Sequence, residues 1–170
     1  VVLYDTNKEA LDRSKQNLAK TFEKLVEKEK YTAEKAQEIQ NNIEYADSLT
    51  AFASIDLMIE AIIENLDIKK SVFKQVEEIV SDECILASNT SSLSIASIAS
   101  ACSKPERVIG IHFFNPAPLM ALVEIIPAVQ TREGLADEVK ELIQSVGKLP
   151  VITKDTPGFI VNRVARPFYS

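Results

Sequence analysis

"RVIGIHFFNPAPLMALVEII" (107–126) contains two apolar runs that predict neighbouring strands, "RVIGIHFF" and "LVEII". His112, the only histidine of the chain, lies where the first run ends, and Glu124 stands alone inside the second. A neutral imidazole at the ligand end of a strand can take a proton from an alcohol, and a carboxylate on the adjacent strand can hold the other ring nitrogen. The alternative is a hydrogen-bonded core histidine, with Glu124 on the solvent side of an edge strand.

Outward from this stretch, short apolar runs alternate with amphipathic helical patterns. The other predicted strands are "VVLYD" (1–5) and "DLMIEAII" (56–63), both expected to be buried, "IEYADSL" (43–49), "CILAS" (84–88) and "PVITKD" (150–155). The predicted helices cover 10–26, 33–40, 67–80, 94–101 and 132–148, and a last one starts near Phe159. Thr32 is expected to cap the second helix and Gly147 to follow the end of the fifth. This alternation predicts an α/β fold, in which a mostly parallel sheet carries helices on both faces.

The composition restricts the class of protein. Hydrophobic content of 46% and charged content of 26% in 170 residues indicate an ordinary folded domain, and a net charge of −6 argues against a nucleic-acid binder. No apolar run approaches the roughly 20 residues that cross a bilayer, so no membrane partner is expected. The beginning does not resemble a signal peptide, and Cys84 and Cys102 have neither metal-ligand nor disulfide-framework spacing. We therefore expect buried free thiols, no metal site, and a cytosolic or organelle-matrix protein that is not secreted.

Asp5 is a candidate ligand residue because it ends a predicted strand, where ligands of such sheets bind. Its carboxylate suits the ribose hydroxyls of a dinucleotide and would repel a 2′-phosphate, which favours NAD over NADP. The alternative is a carboxylate that is merely attracted by the positive end of the following helix.

Further polar residues follow other predicted strands. "SNTSSLS" offers hydroxyls and amides to a ligand, or else forms a turn in which Ser92 or Ser94 caps the next helix. Glu64 and Lys69 flank a turn, and on their own they are interpreted as solvated charges. Asn162 lies early in the last helix, where an exposed asparagine alone indicates nothing.

Five segments occur in an order that resembles the L-3-hydroxyacyl-CoA dehydrogenases of fatty-acid β-oxidation: "VVLYD", "IEAIIENLDIKK", "ASNTSSLSI", "GIHFFNPAPLMALVEII" and "KDTPGFIVNR". The same motifs occur in the dehydrogenase part of multifunctional β-oxidation proteins and in 3-hydroxybutyryl-CoA enzymes. The resemblance implies a Rossmann-like fold and the oxidation of an L-3-hydroxyacyl-CoA to the 3-ketoacyl-CoA, with NAD as cofactor and an acyl-CoA as substrate.

The resemblance also implies a role for each matching residue. His112 would be the general base, oriented and charge-stabilised by Glu124. Ser91 would bind the substrate oxygen, and Asn162 would complete that polar set. The remaining positions would bind the cofactor and the coenzyme: Asp5, Glu64, Lys69, Asn89 and Ser91 the NAD, and Thr21 and Lys28 the coenzyme A.

The resemblance covers only part of a family member. Residues 1–156 would be an NAD-binding domain without its first strand, glycine-rich turn and first helix, and 157–170 the beginning of the helical domain that forms a homodimer. Because Val1 opens directly on a strand pattern, we expect a piece of a longer protein. The missing strand would be central, so its two neighbours should lose their pairing. The isolated chain should therefore be unstable and bind NAD poorly, which a melting curve and an NAD titration would test.

Two other functions remain open from the sequence. One is a non-catalytic family member that keeps the fold as a binding or structural protein. The other is a different NAD-linked reductase that shares the sheet, such as a hydroxy-acid or sugar-acid dehydrogenase. The sequence also leaves open the length of the acyl chain and a fusion to a hydratase.

Overall fold

The structure is a computed structural model that describes residues 1–165, and these divide into two compact units. The first unit spans Val1–Ala53 and the second begins at Ser54. The mostly parallel α/β architecture predicted from the sequence is confirmed.

The first unit contains two short parallel strands and two helices. In chain order they are β1 (Val2–Tyr4), α1 (Lys8–Glu27), α2 (Ala33–Asn41) and β2 (Glu44–Ala46), followed by a 3₁₀ turn at Leu49–Phe52. Asn7 caps α1 by accepting a hydrogen bond from the Ala10 N–H. Thr32 caps α2 in the same way through the Lys35 N–H, as predicted.

The second unit is built on a five-stranded sheet with the order β3-β4-β5-β6-β7. Its elements are β3 (Leu57–Glu60), α3 (Leu66–Glu77), β4 (Ile85–Ser88), α4 (Ile95–Ala99), β5 (Val108–Phe113), β6 (Leu122–Pro127), α5 (Leu135–Ser145), β7 (Leu149–Ile152) and α6 (Val161–Ala165). Only the β5–β6 pair is antiparallel. The carboxyl ends of β3, β4 and β5 therefore lie at one edge, and β6 begins at that same edge.

Side chains point alternately to the two faces of a strand, so successive residues of β5 contact different helices. Ile109 and Ile111 of β5 point to one face and form an apolar core with α5. Gly110 points to the other face, where a Cβ atom would lie 2.8 Å from Cδ1 of Ile95 in α4 and 2.9 Å from Cβ of Ile126. Only glycine permits this close approach, so α4 packs directly against the sheet at Gly110. His112 has the same parity as Gly110, so it lies on the α4 face.

Three sequence predictions are wrong in detail. The strand predicted to reach residue 63 ends at Glu60, because the Ile62 N–H donates to the Glu60 carboxylate instead of to a strand. The last helix begins at Val161 and not near Phe159, because Gly158 and Phe159 have φ of 76° and 49°, outside the right-handed helical region. β1, predicted to be buried, is only half-buried, and its Leu3 is exposed.

The predicted loss of strand pairing through a missing central strand stays a prediction. β1 pairs only with β2, and β3 pairs only with β4, so each has one bonded neighbour in the part of the chain that is described. The predicted boundary between 156 and 157 does not coincide with the division at residue 53 and stays a prediction. Of the predicted helical domain, residues 166–170 lie outside the described residues.

Cys84 and Cys102 are free thiols in the apolar interior, as predicted. Burial raises the pKa of the Cys102 thiol to about 11 and also raises that of Cys84. Among residues 1–165, no helix has both the length and the hydropathy for a membrane crossing. The same residues contain no cluster of three His, Cys, Asp or Glu side chains that could hold a metal ion.

Candidate active site

His112 and Glu124 face each other because β5 and β6 pair in an antiparallel register that places them directly opposite. Residues opposite each other in such a pair project their side chains from the same face of the sheet. His112 Nδ1 lies 2.8 Å from Glu124 Oε2, and the two side chains are only 7% and 1% exposed. The alternative of a solvent-facing Glu124 on an edge strand is therefore wrong, since β6 lies between β5 and β7.

The second oxygen of Glu124 is also occupied. Oε1 accepts hydrogen bonds of 2.9 Å from both the Ile160 and the Val161 N–H groups, at the start of α6. A carboxylate only accepts hydrogen bonds, so the network assigns the imidazole proton to Nδ1 of His112. Its Nε2 is then left as a proton acceptor, with no hydrogen-bond partner among the described residues.

Aromatic rings surround this pair. The ring of Phe114 lies 4.5 Å from the His112 ring, centroid to centroid, and that of Phe159 lies 5.9 Å away. Phe159 is itself 2% exposed and reaches this position through its left-handed backbone conformation. Exclusion of water strengthens the electrostatic interaction between an imidazolium and a carboxylate.

The loop between β4 and α4 is organised by Glu64. Its Oε1 accepts hydrogen bonds from the Thr90 hydroxyl at 2.6 Å, the Ser91 N–H at 2.9 Å and the Ser91 hydroxyl at 3.2 Å. Partial burial acts to raise the pKa of Glu64, but the bonds from Thr90 and Ser91 together with the Lys69 ammonium outweigh it, so the pKa is lowered. The loop also supplies the predicted helix cap, since Ser94 accepts from the Ser97 N–H.

Lys69 is buried, so its interpretation as a solvated charge is wrong. Its Nζ lies 2.7 Å from Glu60 Oε1 and 3.3 Å from Glu64 Oε2, and its side chain is 1% exposed. Glu60 completes this buried centre by accepting from the Ile62 N–H at 2.6 Å and the Ser88 hydroxyl at 2.7 Å. Glu60 is not among the residues predicted from the sequence, although a lone carboxylate that ends an apolar strand is the same signal that identified Asp5.

Asn89 and Asn162 tie this loop to the neighbouring elements. Asn89 accepts a 2.8 Å hydrogen bond through Oδ1 from the Phe113 N–H, next to His112 in β5. Asn162 is half-buried in α6 and donates through Nδ2 to the Ser91 carbonyl oxygen at 3.0 Å. Glu60, Lys69, Glu64, Ser91 and Asn162 thus form a continuous polar chain.

This chain and the His112–Glu124 pair converge on α6. Glu124 binds the N–H groups at the beginning of α6, and Asn162 follows directly after them. Seven residues selected from the sequence therefore lie in the second unit, and each makes a hydrogen bond or an ion pair there. They are Glu64, Lys69, Asn89, Ser91, His112, Glu124 and Asn162.

The three remaining candidates lie in the first unit. Asp5 follows β1, and its exposed carboxylate accepts a hydrogen bond through Oδ1 from the Asn7 N–H at 2.7 Å. Thr21 and Lys28 are exposed, one in α1 and the other at its carboxyl end. Their spacing of seven positions corresponds to about two helical turns, so both side chains lie on the same side of α1.

Residues 1–156 match the family model described as the NAD-binding domain of 3-hydroxyacyl-CoA dehydrogenase. The chain belongs to this family. The cofactor that the family description names is NAD, in agreement with the sequence prediction.

The individual relatives agree with this assignment. A 3-hydroxyadipyl-CoA dehydrogenase of Escherichia coli K12 is 44% identical over 170 residues, which is all of this chain and 36% of that protein. A probable 3-hydroxybutyryl-CoA dehydrogenase of Deinococcus radiodurans is 44% identical over 167 residues, or 98% of this chain and 60% of that protein. The crystal structure of an E. coli 3-hydroxybutyryl-CoA dehydrogenase has a TM-score of 0.96 at 43% identity and covers 99% of this chain and 36% of its own. This chain therefore spans only part of the length of these relatives.

The residues present fit NAD in their chemistry. In the first unit, the Asp5 carboxylate can accept hydrogen bonds from a ribose diol at the carboxyl end of a parallel strand. In the second unit, the loop after β4 offers hydroxyl groups and the Asn89 amide, whose Nδ2 has no partner among residues 1–165. The dinucleotide also needs a site for its pyrophosphate, commonly a glycine-rich turn at a helix N-terminus. The earliest glycine of this sequence is Gly110, so the given residues before β5 contain no glycine-rich turn for the pyrophosphate.

Glu60→Gln tests the buried ion pair, because it removes the charge but keeps the shape of the side chain. We expect the free energy of unfolding to fall by about 3–5 kcal/mol, since the Lys69 ammonium stays buried without its closest anion. Adding Lys69→Met should restore part of the loss. Urea denaturation of the full-length protein measures both effects.

Glu138→Gln is the matched control for this measurement. Glu138 pairs with Arg132 at 2.6 Å, but both side chains are about half exposed, so its loss should change stability little. If Glu60→Gln costs no more than Glu138→Gln, the buried pair does not contribute as described.

Glu64→Gln tests the pH dependence of stability. Because the pKa of Glu64 is lower in the folded than in the unfolded state, the unfolded chain binds more protons between the two values. The stabilisation is complete above the ordinary glutamate pKa and is lost as the pH falls through the folded-state pKa. We therefore expect a less steep acid limb in the stability curve of Glu64→Gln, at pH values below the ordinary glutamate pKa. An unchanged slope would contradict the prediction.

Proposed function

We propose that the full-length protein oxidises L-3-hydroxyacyl-CoA to 3-ketoacyl-CoA with NAD, and catalyses the reverse reaction, in fatty-acid or related acyl-CoA metabolism. The observation that carries the proposal is the buried pair of His112 and Glu124, with Nδ1 and Oε2 separated by 2.8 Å. The family membership of the chain supports it independently.

His112 acts as the general base in this proposal. Oxidation of a secondary alcohol removes a proton from its oxygen, and the free Nε2 of the imidazole takes that proton. Glu124 holds Nδ1 and stabilises the imidazolium that results. In the reverse direction the imidazolium returns the proton from Nε2 to the ketone oxygen. When bound, NAD supplies the acceptor for the hydride that leaves the carbinol carbon.

Ser91 and Asn162 hold the substrate oxygen near His112. A 3.0 Å hydrogen bond from the Asn162 side-chain Nδ2 to the Ser91 backbone carbonyl keeps the two residues together. The Ser91 hydroxyl lies 3.2 Å from Glu64 Oε1, and by rotating it can donate its hydrogen bond to the substrate oxygen instead. The Ser91 N–H still holds the loop to Glu64 at 2.9 Å. Catalysis then depends on the alignment of these side chains more than on the strength of any one bond.

The cofactor and coenzyme contacts are assigned by residue type and place. Asp5 binds the adenosine ribose of NAD, and Glu64, Asn89 and Ser91 line its site. Lys69 belongs to this site through its ion pair with Glu64 at 3.3 Å, which fixes the carboxylate that holds the loop. On α1, Thr21 and Lys28 bind coenzyme A, and Lys28 attracts its phosphate as a point charge.

The remaining proposals concern the whole protein. Relatives of the chain come from bacteria and include a protein named as mitochondrial. We infer a bacterial cytoplasmic or a mitochondrial matrix enzyme and a homodimer that forms through a helical domain beginning near residue 157. The membership of Asn162 in the polar chain supports a domain boundary close to the site.

Glu124→Gln is the sharpest test of the mechanism. The amide keeps an oxygen for the Ile160 and Val161 N–H groups but donates from nitrogen to His112 Nδ1. The imidazole proton then moves to Nε2, where it blocks proton acceptance from the alcohol. We expect kcat of the full-length protein to fall about 10³–10⁴-fold, and His112→Gln to lower it about 10²–10⁴-fold, with little change in the KM for NADH.

The measurement follows NADH absorbance with acetoacetyl-CoA, and Glu141→Gln on exposed α5 surface serves as the matched carboxylate-to-amide control. An undiminished kcat in Glu124→Gln would rule out the proposed role of the pair. A silent wild-type protein would favour the non-catalytic family member. Faster turnover of a free hydroxy acid than of its CoA ester would favour a different reductase.

A further inference from the structure

Asp155, in the segment between β7 and α6, caps a helix that lies about 60 residues earlier in the chain. Its Oδ1 accepts a hydrogen bond from the Ile95 N–H at 3.0 Å. Its Oδ2 accepts from the Ala96 N–H at 2.8 Å and from the Ser94 hydroxyl at 2.9 Å. All three donors belong to the start of α4, so this one carboxylate attaches the β7–α6 segment to that helix.

The same two parts of the chain are joined a second time by Asn162, which donates to the Ser91 carbonyl oxygen at 3.0 Å. Ser91 lies in the loop that leads into α4, and Asn162 lies in the helix that follows the Asp155 segment. The loop is thus held at its middle by Asn162 and at its end by Asp155. The two bridges together define the relative position of Ser91 and Asn162.

α4 does not require Asp155 in order to form. Ser94 remains as its cap through the Ser97 N–H at 3.2 Å, and Ile95 and Ile98 are fully buried in the core. Removal of the Asp155 carboxylate should therefore preserve the fold. It should free the start of α4 to shift relative to α6.

We propose that Asp155 is a positioning residue that sets the alignment of Ser91 and Asn162 around the substrate oxygen. The inference rests on the proposed function, in which those two side chains bind that oxygen. Asp155 acts through both of them. Because a displacement of about 1 Å can cost about 100-fold in rate, Asp155 controls kcat. Because Ser91 also lines the proposed NAD site, the affinity for NAD should change too, but less than kcat.

A double-mutant cycle in the full-length protein, with acetoacetyl-CoA and NADH, tests this. Asp155→Ala should lower kcat about 10- to 100-fold and change the KM for NADH by a smaller factor. Combined with Asn162→Ala, it should cost no more than the worse single change, because both remove the same alignment. Losses that multiply in the double variant would overturn the inference. Asp155→Asn keeps one acceptor oxygen, so its kcat should lie between those of the wild type and Asp155→Ala. If Asp155→Ala does not fold, Asp155→Asn takes its place in the cycle.

Thr131→Val is the matched control. The Thr131 hydroxyl also joins two backbone groups, at 2.7 Å to the Val108 carbonyl and 2.8 Å to the Ala128 N–H. It lies at the end of β5 away from His112, so kcat should stay at the wild-type value. A loss in Thr131→Val equal to that in Asp155→Ala would mean that general destabilisation explains both.

Amide hydrogen exchange separates this inference from the proposed function. Exchange of the Ile95 and Ala96 N–H groups should accelerate in Asp155→Ala, whether or not the substrate is turned over. Unchanged exchange would overturn the attachment itself. A wild-type protein without activity refutes the proposed function, whereas an active wild type with multiplying losses refutes only the role of Asp155.

Discussion

The antiparallel pairing of β5 with β6 is the constraint on which the site depends. Its register sets His112 opposite Glu124, and a slip of one residue would turn one of the two side chains toward the apolar core beneath α5. The same register fixes α6, because the other Glu124 oxygen binds the Ile160 and Val161 N–H groups. One hydrogen-bonded carboxylate therefore couples two strands to the helix that carries Asn162.

Four carboxylates of the second unit perform similar structural work. Glu60, Glu64, Glu124 and Asp155 each accept at least one backbone N–H together with a side-chain donor. The N–H groups in loops and at helix starts have no partner in regular secondary structure, and a carboxylate satisfies several of them at once. The loop after β4 and the starts of α4 and α6 are held in place in this way.

Local patterns in the sequence were sufficient for the order and type of the elements. Thr32 caps α2 and Gly147 follows α5 with φ of 78°, as predicted, because these signals act within one turn of the chain. The errors arise where a distant or charged group intervenes. β3 ends early because the Glu60 carboxylate accepts the Ile62 N–H. Lys69 is buried because its ammonium pairs with Glu60 at the end of β3 and with Glu64 in the following turn.

The sequence by itself determined the alternating α/β elements, the identity of the chemical groups and, through the resemblance of its motifs, the family. The tertiary structure decided which groups meet: His112 with Glu124, Glu60 with Lys69, and Asp155 with the start of α4. The physical reason is range. Helix and strand preferences are set by neighbours within a few residues, whereas these hydrogen bonds join groups 9 to 60 residues apart and exist only once strand register and helix packing are fixed.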